Sequence, residues 1–501
     1  MKILHLSIIA FVAAGIMILT LSFPVAFANG VSTMGGPPTS PQFLLTQIIT
    51  SGNDVYLLWQ HGGTLFFQRS IDGGAIFEKP IGVLTGKGIT SVDPQMSVSG
   101  NTVYLTANYV DNGTSYLVFK RSIDNGTSFG NVTTLDIRQH SLGFLTLDLV
   151  SSGDNVYLAW DENGGDIFLK KSNDDGVTFG DAVNISNGTK SFGDPKIAVS
   201  NNHVYIVMEG GCKINTVNEQ ICYPAPFVRT SNDYGKTFGK ITFIINGTES
   251  AFSTDAQIST EGDHVYIIWQ YNGYNVGKIL FAKSDDAGAT FGKTIYFENT
   301  GQEGHPTVVS SGSNAYLIWQ THYNETKDLV FTYSKDYGST FASPINLSNN
   351  KFYGDNYYLS RQIAVSGSNI YVVWSAQDYE NQEIFFKKIS DGGVNFDNAV
   401  NLSGNLDAIV QNETNQTKAY FDKPQIMASG NDVYVGWINY YAEGDNDLFM
   451  KTSGDGGKTF GNAIILNRYE TVPEFPFAIP ILAVSLVSLL VFYKMIFRIG
   501  F

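Results

Sequence analysis

Between residues 43 and 468 short apolar runs alternate with polar, glycine-rich breaks, and the runs have the length of strands rather than helices. Segments such as Gln95 to Val98 and Lys196 to Val199 alternate with the two-residue period of a strand that buries one face. A Ser-Gly or Ser-Asn turn follows, and after it a second segment that carries a buried-type tyrosine. In six copies this segment ends in tryptophan: Tyr56 to Trp59, Tyr157 to Trp160, Tyr266 to Trp269, Tyr316 to Trp319, Tyr371 to Trp374 and Tyr434 to Trp437. A third apolar segment, as in Leu65 to Phe67, leads into a polar box, and a fourth, as in Ala182 to Ile185, follows it.

The box reads Ser-x-Asp-x-Gly-x-Thr-Phe, as in Ser172-Asp174-Gly176-Thr178-Phe179 and Ser334-Asp336-Gly338-Thr340-Phe341. Its aspartates are Asp72, Asp124, Asp174, Asp233, Asp286, Asp336, Asp391 and Asp455, and Ile389 replaces the serine in the seventh copy. The mean spacing is about 55 residues. A single four-stranded sheet leaves both faces in water, whereas stacking such sheets around an axis buries each against its neighbour. The expected fold is therefore all-β, a single eight-bladed propeller of four-stranded antiparallel blades spanning 43–468. The first and last copies are both complete, which predicts a ring closed without strand exchange.

Length alone suggests about three domains at roughly 150 residues each, and the repeat replaces that estimate with one ring. Charged residues are 15% of the chain and aromatics 13%, which excludes a disordered polymer. The net charge of −15 and the lack of a basic cluster exclude a nucleic-acid partner.

Both ends address the chain to a membrane. Lys2, an apolar stretch to Phe23 and the small-x-small Ala26-Phe27-Ala28 predict a signal peptide over 1–28 and a linker over 29–42. After a linker at 469–476, residues 477–496 are apolar enough for a transmembrane anchor, with Lys494, Arg498 and a cytoplasmic tail at 497–501. The expected location is the cell surface. Val472-Pro473-Glu474-Phe475-Pro476 resembles the PEF-type C-terminal sorting signal of archaeal surface proteins.

The polar box resembles the Asp-box (BNR) repeat of the sialidase-like propeller superfamily. That resemblance implies a structural turn in which the aspartate accepts backbone N–H bonds and the glycine takes a positive φ. It also implies an active site on the opposite face, where second-to-third and fourth-to-first strand loops gather. On that face the sequence places two long loops, Glu209 to Pro226 and Ser403 to Phe421. It also places a tyrosine rim there: Tyr109, Tyr271, Tyr274, Tyr323, Tyr357, Tyr358, Tyr379, Tyr440 and Tyr441. Such residues stack on sugars or on polar protein surfaces.

A sialidase needs three arginines to clamp the substrate carboxylate. Of seven arginines, Arg69, Arg121 and Arg229 lead into boxes and only Arg138 and Arg361 lie near fourth-to-first loops. No Arg-Ile-Pro motif precedes the first blade, so no catalytic residue is assigned. A weaker constellation is Asp93, Asp194, Asp255 and His305, which share one position at the entrance of the innermost strand. They are candidates for a central site. No cofactor is expected, and a divalent cation bound by these four is the alternative. Gln95, Gln257, Gln362 and Gln425, one or two positions along, are expected to line the channel.

Cys212 and Cys222 share one loop of an exported domain, which predicts a disulfide. Eleven Asn-x-Ser/Thr sequons accompany them: Asn112, Asn125, Asn131, Asn184, Asn187, Asn246, Asn324, Asn346, Asn401, Asn412 and Asn415. The sum is an anchored extracellular propeller expected to bind a glycan or an envelope protein without catalysis. A sialidase-like glycoside hydrolase or lyase, and a structural envelope component, are the alternatives.

Overall fold

In a computed structural model, the described residues fall within 44–468, apart from several connecting segments, the longest being 86–93, 215–219, 245–251, 298–303, 349–359, 407–419 and 441–445. The signal, the linkers, the apolar C-terminal segment and the tail lie outside them. Eight four-stranded antiparallel blades follow one another along the chain, the last two joined into one sheet by a parallel bridge between Gln382 and Tyr420. Blade 1 is typical, with Leu44–Ser51, Asp54–His61, Thr64–Ser70 and Ile81–Thr85 in spatial order. The first strands of the other blades are Gln95–Ser99, Phe144–Ser152, Lys196–Ser200, Phe252–Glu261, Thr307–Ser311, Arg361–Ser366 and Tyr420–Ser429. Each of these touches the first strand of the next blade, and the last returns to the first, so they form the innermost ring. No strand is exchanged where the ring closes.

Eight apolar clusters fill the eight seams between blades. The closing seam joins Ile48, Leu57 and Trp59 of blade 1 to Met427, Ile438 and Leu448 of blade 8. The tyrosine and tryptophan of a second strand are three residues apart, an odd offset that sends them to opposite faces of the sheet. Tyr56 accordingly packs in the seam with blade 2 while Trp59 packs in the seam with blade 8. Tyr157 and Trp160 divide in the same way between blades 4 and 2. Each aromatic, nearly all of it removed from water, contributes about 1.5–3 kcal/mol.

The box turns clamp neighbours together. In seven of the eight turns the serine hydroxyl bonds the aspartate; Ser172 Oγ lies 2.7 Å from Asp174 Oδ1 and also accepts the Gly176 N–H at 2.9 Å. Asp174 in turn accepts the Thr178 hydroxyl at 2.6 Å and N–H at 2.9 Å, and these bonds hold its carboxyl down to about 2. The seventh turn differs because Ile389 has no hydroxyl. There Gly393 N–H bonds the Ser390 carbonyl and Asp391 bonds Asn395 instead. The box phenylalanine packs edge-on against the previous blade, as Phe129 does on Phe67 at 4.9 Å.

Three sequons are built into fourth strands. Ser186, Ser348 and Ser403 are buried and accept the N–H groups of Ile167, Leu329 and Ile384 at 3.2, 3.0 and 2.9 Å. Their hydroxyls lie 2.9, 3.1 and 3.2 Å from Oδ1 of Asn184, Asn346 and Asn401.

Candidate functional site

The site face offers one recurrent peculiarity of backbone. Asp194, Asp255, His305 and Lys423 have φ of 51°, 55°, 40° and 52° at the entrance of their inner strands. A left-handed conformation costs a non-glycine residue about 1–2 kcal/mol, so the surroundings must hold it in place. Asp255 and Lys423 occupy bulges, between Thr254 and Gln257 and between Asp422 and Gln425. Three of the four residues expected to share this position do share it, and Lys423 fills it in blade 8. Asp93 lies outside the described residues.

For Asp194, Asp255 and His305 the restraint comes from a polar residue at the end of a second strand, four positions after its tyrosine. In blades 1 to 6 these are Gln60, Asn108, Asp161, Glu209, Gln270 and Gln320, all buried. Glu209 Oε1 accepts the Asp255 N–H at 2.6 Å across the seam between blades 4 and 5. Gln270 Oε1 accepts the N–H groups of Gly304 and His305 at 2.7 and 3.1 Å across the next seam. Asp161 Oδ1 accepts the Thr146 N–H at 2.7 Å, and Thr146 Oγ1 accepts that of Asp194 at 3.1 Å.

These links bring charged side chains from five blades together. Lys196 Nζ lies 2.6 Å from Asp194 Oδ1, and His305 Nδ1 lies 2.8 Å from Asp255 Oδ2. Asp148 accepts the Ile197 N–H and feels both Lys196 and Asp194. Part of it stays exposed, but protein surrounds it deeply enough for burial to push its carboxyl up to about 6. Burial, with repulsion from Asp194 and Asp255, raises Glu209 well above the usual carboxylate range. Arg361 donates to the Gly304 carbonyl at 3.1 Å, and its burial brings it down to about 10 against the opposing pull of Asp255.

Between blades 1 and 2 the described inner-strand contacts run through amides. Gln47 Nε2 bonds Gln95 Oε1 at 2.7 Å, and Gln47 Oε1 accepts the Met96 N–H. The glutamines expected along the channel are buried, with Gln95, Gln257, Gln362 and Gln425 exposed by no more than 7%. Among the described residues no three His, Cys, Asp or Glu side chains converge on a cation site.

Much of the tyrosine rim escapes description. Tyr274, Tyr357, Tyr358, Tyr379 and Tyr441 lie outside the described residues, and for Tyr323 only the backbone is described, at the end of a second strand. Tyr109 stacks on Tyr116 with centroids 4.8 Å apart, and Tyr271 packs against the seam of blades 4 and 5. Burial and the nearby Asp422 raise the Tyr440 hydroxyl above its ordinary range. Gly211–Ile214 and Gln220–Cys222 form a small ladder in the loop after Glu209, with Cys212 and Cys222 as direct register partners. Arg138 belongs to an outer strand, where it pairs with Asp136 at 2.8 Å and with Glu162. Arg361 is thus the one arginine of that pair in the central cluster.

Sequence reasoning missed Asp148, Lys196 and Glu209 as site residues. The signal for Glu209 was present: the position four after the second-strand tyrosine is polar in blade after blade.

No known protein-family profile matches the chain, and no curated protein matches it. Solved structures do align with it. One is an intramolecular trans-sialidase from Ruminococcus gnavus, at 13% identity and TM-score 0.36, covering 72% of this chain and 93% of that one. Another is a polysaccharide lyase at 12% identity and TM-score 0.42, covering 76% and 91%. A third is a sialidase variant from Streptococcus pneumoniae at 9% identity and TM-score 0.35, covering 81% and 90%. The likeness is one of fold alone, a β-propeller. The expectation of a non-catalytic binding module is corrected at this point. The three structures named are a trans-sialidase, a polysaccharide lyase and a sialidase, and beside the buried glutamines the ring carries Asp148 and Glu209, carboxyls that burial raises.

Proposed function

We propose that the chain is a glycoside hydrolase or lyase whose centre is the charged cluster of blades 3 to 7. The observation that carries this reading is the contact between Glu209 and Asp255. One carboxyl is raised by burial and by its acidic neighbours, and it accepts the backbone N–H of a second acidic residue whose side chain pairs with an imidazole. Cleavage of a glycosidic bond uses two carboxyls in unlike surroundings, one of them raised so that it can act as the acid. Glu209 would donate the proton to the leaving oxygen. Asp255, oriented by His305, would activate water or attack the anomeric carbon. Lys196 holds Asp194 and Arg361 holds the Gly304 turn, so both act as positioning residues.

The proposal includes the Asp-box assignment of the eight turns, the export signal, the C-terminal anchor and the Cys212–Cys222 bridge. Directly opposed residues of an antiparallel pair have the Cα separation a disulfide spans. The test is hydrolysis and elimination assays on a panel of oligosaccharides. Cleavage that disappears in Glu209→Gln and Asp255→Asn, with the β circular dichroism spectrum retained, supports the reading. Cleavage by both variants at the parental rate, or none by the parent, overturns it.

A further inference from the structure

We propose that this centre selects a sugar carrying a protonated amine and no carboxylate, such as a glucosamine unit. The inference rests on the reading of the cluster as a sugar site, and its support is the balance of donors and acceptors there.

Asp194 links Asp148 and Glu209 electrostatically, Glu209 also feels Asp255, and Asp161 and Asp422 lie at a second-strand end and on an inner strand of the same face. The cations among the described residues there are Lys196, Arg361 and Lys423, with the imidazoles of His61 and His305. Lys196 is committed to Asp194 at 2.6 Å, and Arg361 to the Gly304 carbonyl at 3.1 Å in the field of Asp255. Lys423 is held beside Asp422. A ligand carboxylate would therefore enter a site whose cations are already engaged and whose surplus charge is negative. Arginine pairs carboxylates well only when its fork is free to point at them.

An independent observation indicates which ligand group would be welcome. Gln257 is 2% exposed, and its side-chain carbonyl oxygen is buried without a hydrogen-bond partner. Strand alternation puts Gln257 on the same side as Ser259, whose hydroxyl meets Ser310 of blade 6 at 2.7 Å. That side is the seam in which His305 meets Asp255. A buried acceptor left without a donor is costly, and a ligand N–H or O–H would remove the cost. An ammonium group brings three donors and the charge that the carboxylates lack.

Protons report the sign of this preference. Asp194, Asp255 and Lys196 face Glu209 and, with burial, set its protonation. An ammonium ion beside Glu209 favours its carboxylate form, so an amine ligand releases a proton on binding. A carboxylate ligand does the reverse and takes one up.

The experiment is isothermal titration of the full chain with trimers of glucosamine, N-acetylglucosamine and galacturonic acid, and with N-acetylneuraminic acid, in two buffers of different ionisation enthalpy. The glucosamine trimer is expected to bind at least about tenfold more tightly than the acetylated trimer, which corresponds to about 1.4 kcal/mol, with net proton release. Glu209→Gln is expected to abolish the proton release and to erase most of the amine preference. Tighter binding of either acidic sugar, proton uptake with the amine, or no binding of any sugar overturns the inference. Cleavage of neutral oligosaccharides with no amine preference would overturn this inference alone. Amine-selective binding without cleavage would instead overturn the hydrolase reading alone.

Discussion

Glu209 of blade 4 accepts the backbone N–H of Asp255 of blade 5 at 2.6 Å, so one carboxyl fixes the left-handed residue that carries the other. The bond crosses a seam between blades. It makes the relative position of the two carboxyls a property of the ring rather than of either strand, and it separates two roles of Glu209 that substitutions can tell apart.

Glu209→Gln keeps an acceptor for Asp255 and removes the proton. Melting should shift by the equivalent of about 1 kcal/mol or less, while turnover falls about 10²–10⁴-fold. Glu209→Ala removes both and should also destabilise by about 1–3 kcal/mol, because the Asp255 N–H is left without its partner. Thermal melts read alongside initial rates check the split, and equal losses of turnover and stability in both variants would refute it.

Asp148 sets a pH dependence of stability. Its folded value of about 6 lies above the unfolded value near 3.9, so the folded state binds the proton more tightly. The stability from this group is complete below about pH 4 and is lost as pH rises through about 6. Asp148→Asn should therefore stabilise by about 1–3 kcal/mol above pH 7 and change little at pH 4. Urea unfolding at the two pH values measures the difference.

Gly126 needs both its backbone and its lack of a side chain. Its φ is 79°, and a Cβ there would sit 2.4 Å from the Phe67 ring of the preceding blade. Gly126→Ala should cost about 2–4 kcal/mol, adding overpacking to backbone strain. Gly100→Ala, at φ 57° with nothing near its Cβ, should cost about 1 kcal/mol. Chemical denaturation of the two variants gives the contrast directly.

Ser186, Ser348 and Ser403 complete sequons but serve the fold. Each Ser→Ala change should destabilise by about 1–3 kcal/mol by orphaning a buried backbone N–H. For the same reason, in protein folded before exposure to a glycosyltransferase, Asn184, Asn346 and Asn401 should stay unmodified while the exposed Asn112 and Asn131 accept glycan. Peptide mass spectrometry distinguishes them, and a glycan on any of the first three would contradict the assignment.

The eight boxes, the Tyr-to-Trp spacing and the turn residues were enough to read the ring. Each is a local requirement repeated at a fixed interval: a hydroxyl and carboxylate to close a turn, an odd offset to reach two faces. The central position of Asp194, Asp255 and His305 was legible for the same reason, since equivalent repeats place equivalent residues at the axis. Asp148 and Glu209 were not legible as a pair with them, because each stands at a different place in its repeat.

The sequence by itself therefore determined the blade, its number and the way each blade meets the next, because period-two alternation and turn chemistry act over a few residues. Only the tertiary structure decided which charges meet. Asp148, Asp194, Lys196, Glu209, Asp255, His305 and Arg361 span more than 200 residues, yet closing the ring brings them into one low-dielectric cluster. There burial and mutual repulsion, which no stretch of sequence contains, raise the Asp148 and Glu209 carboxyls.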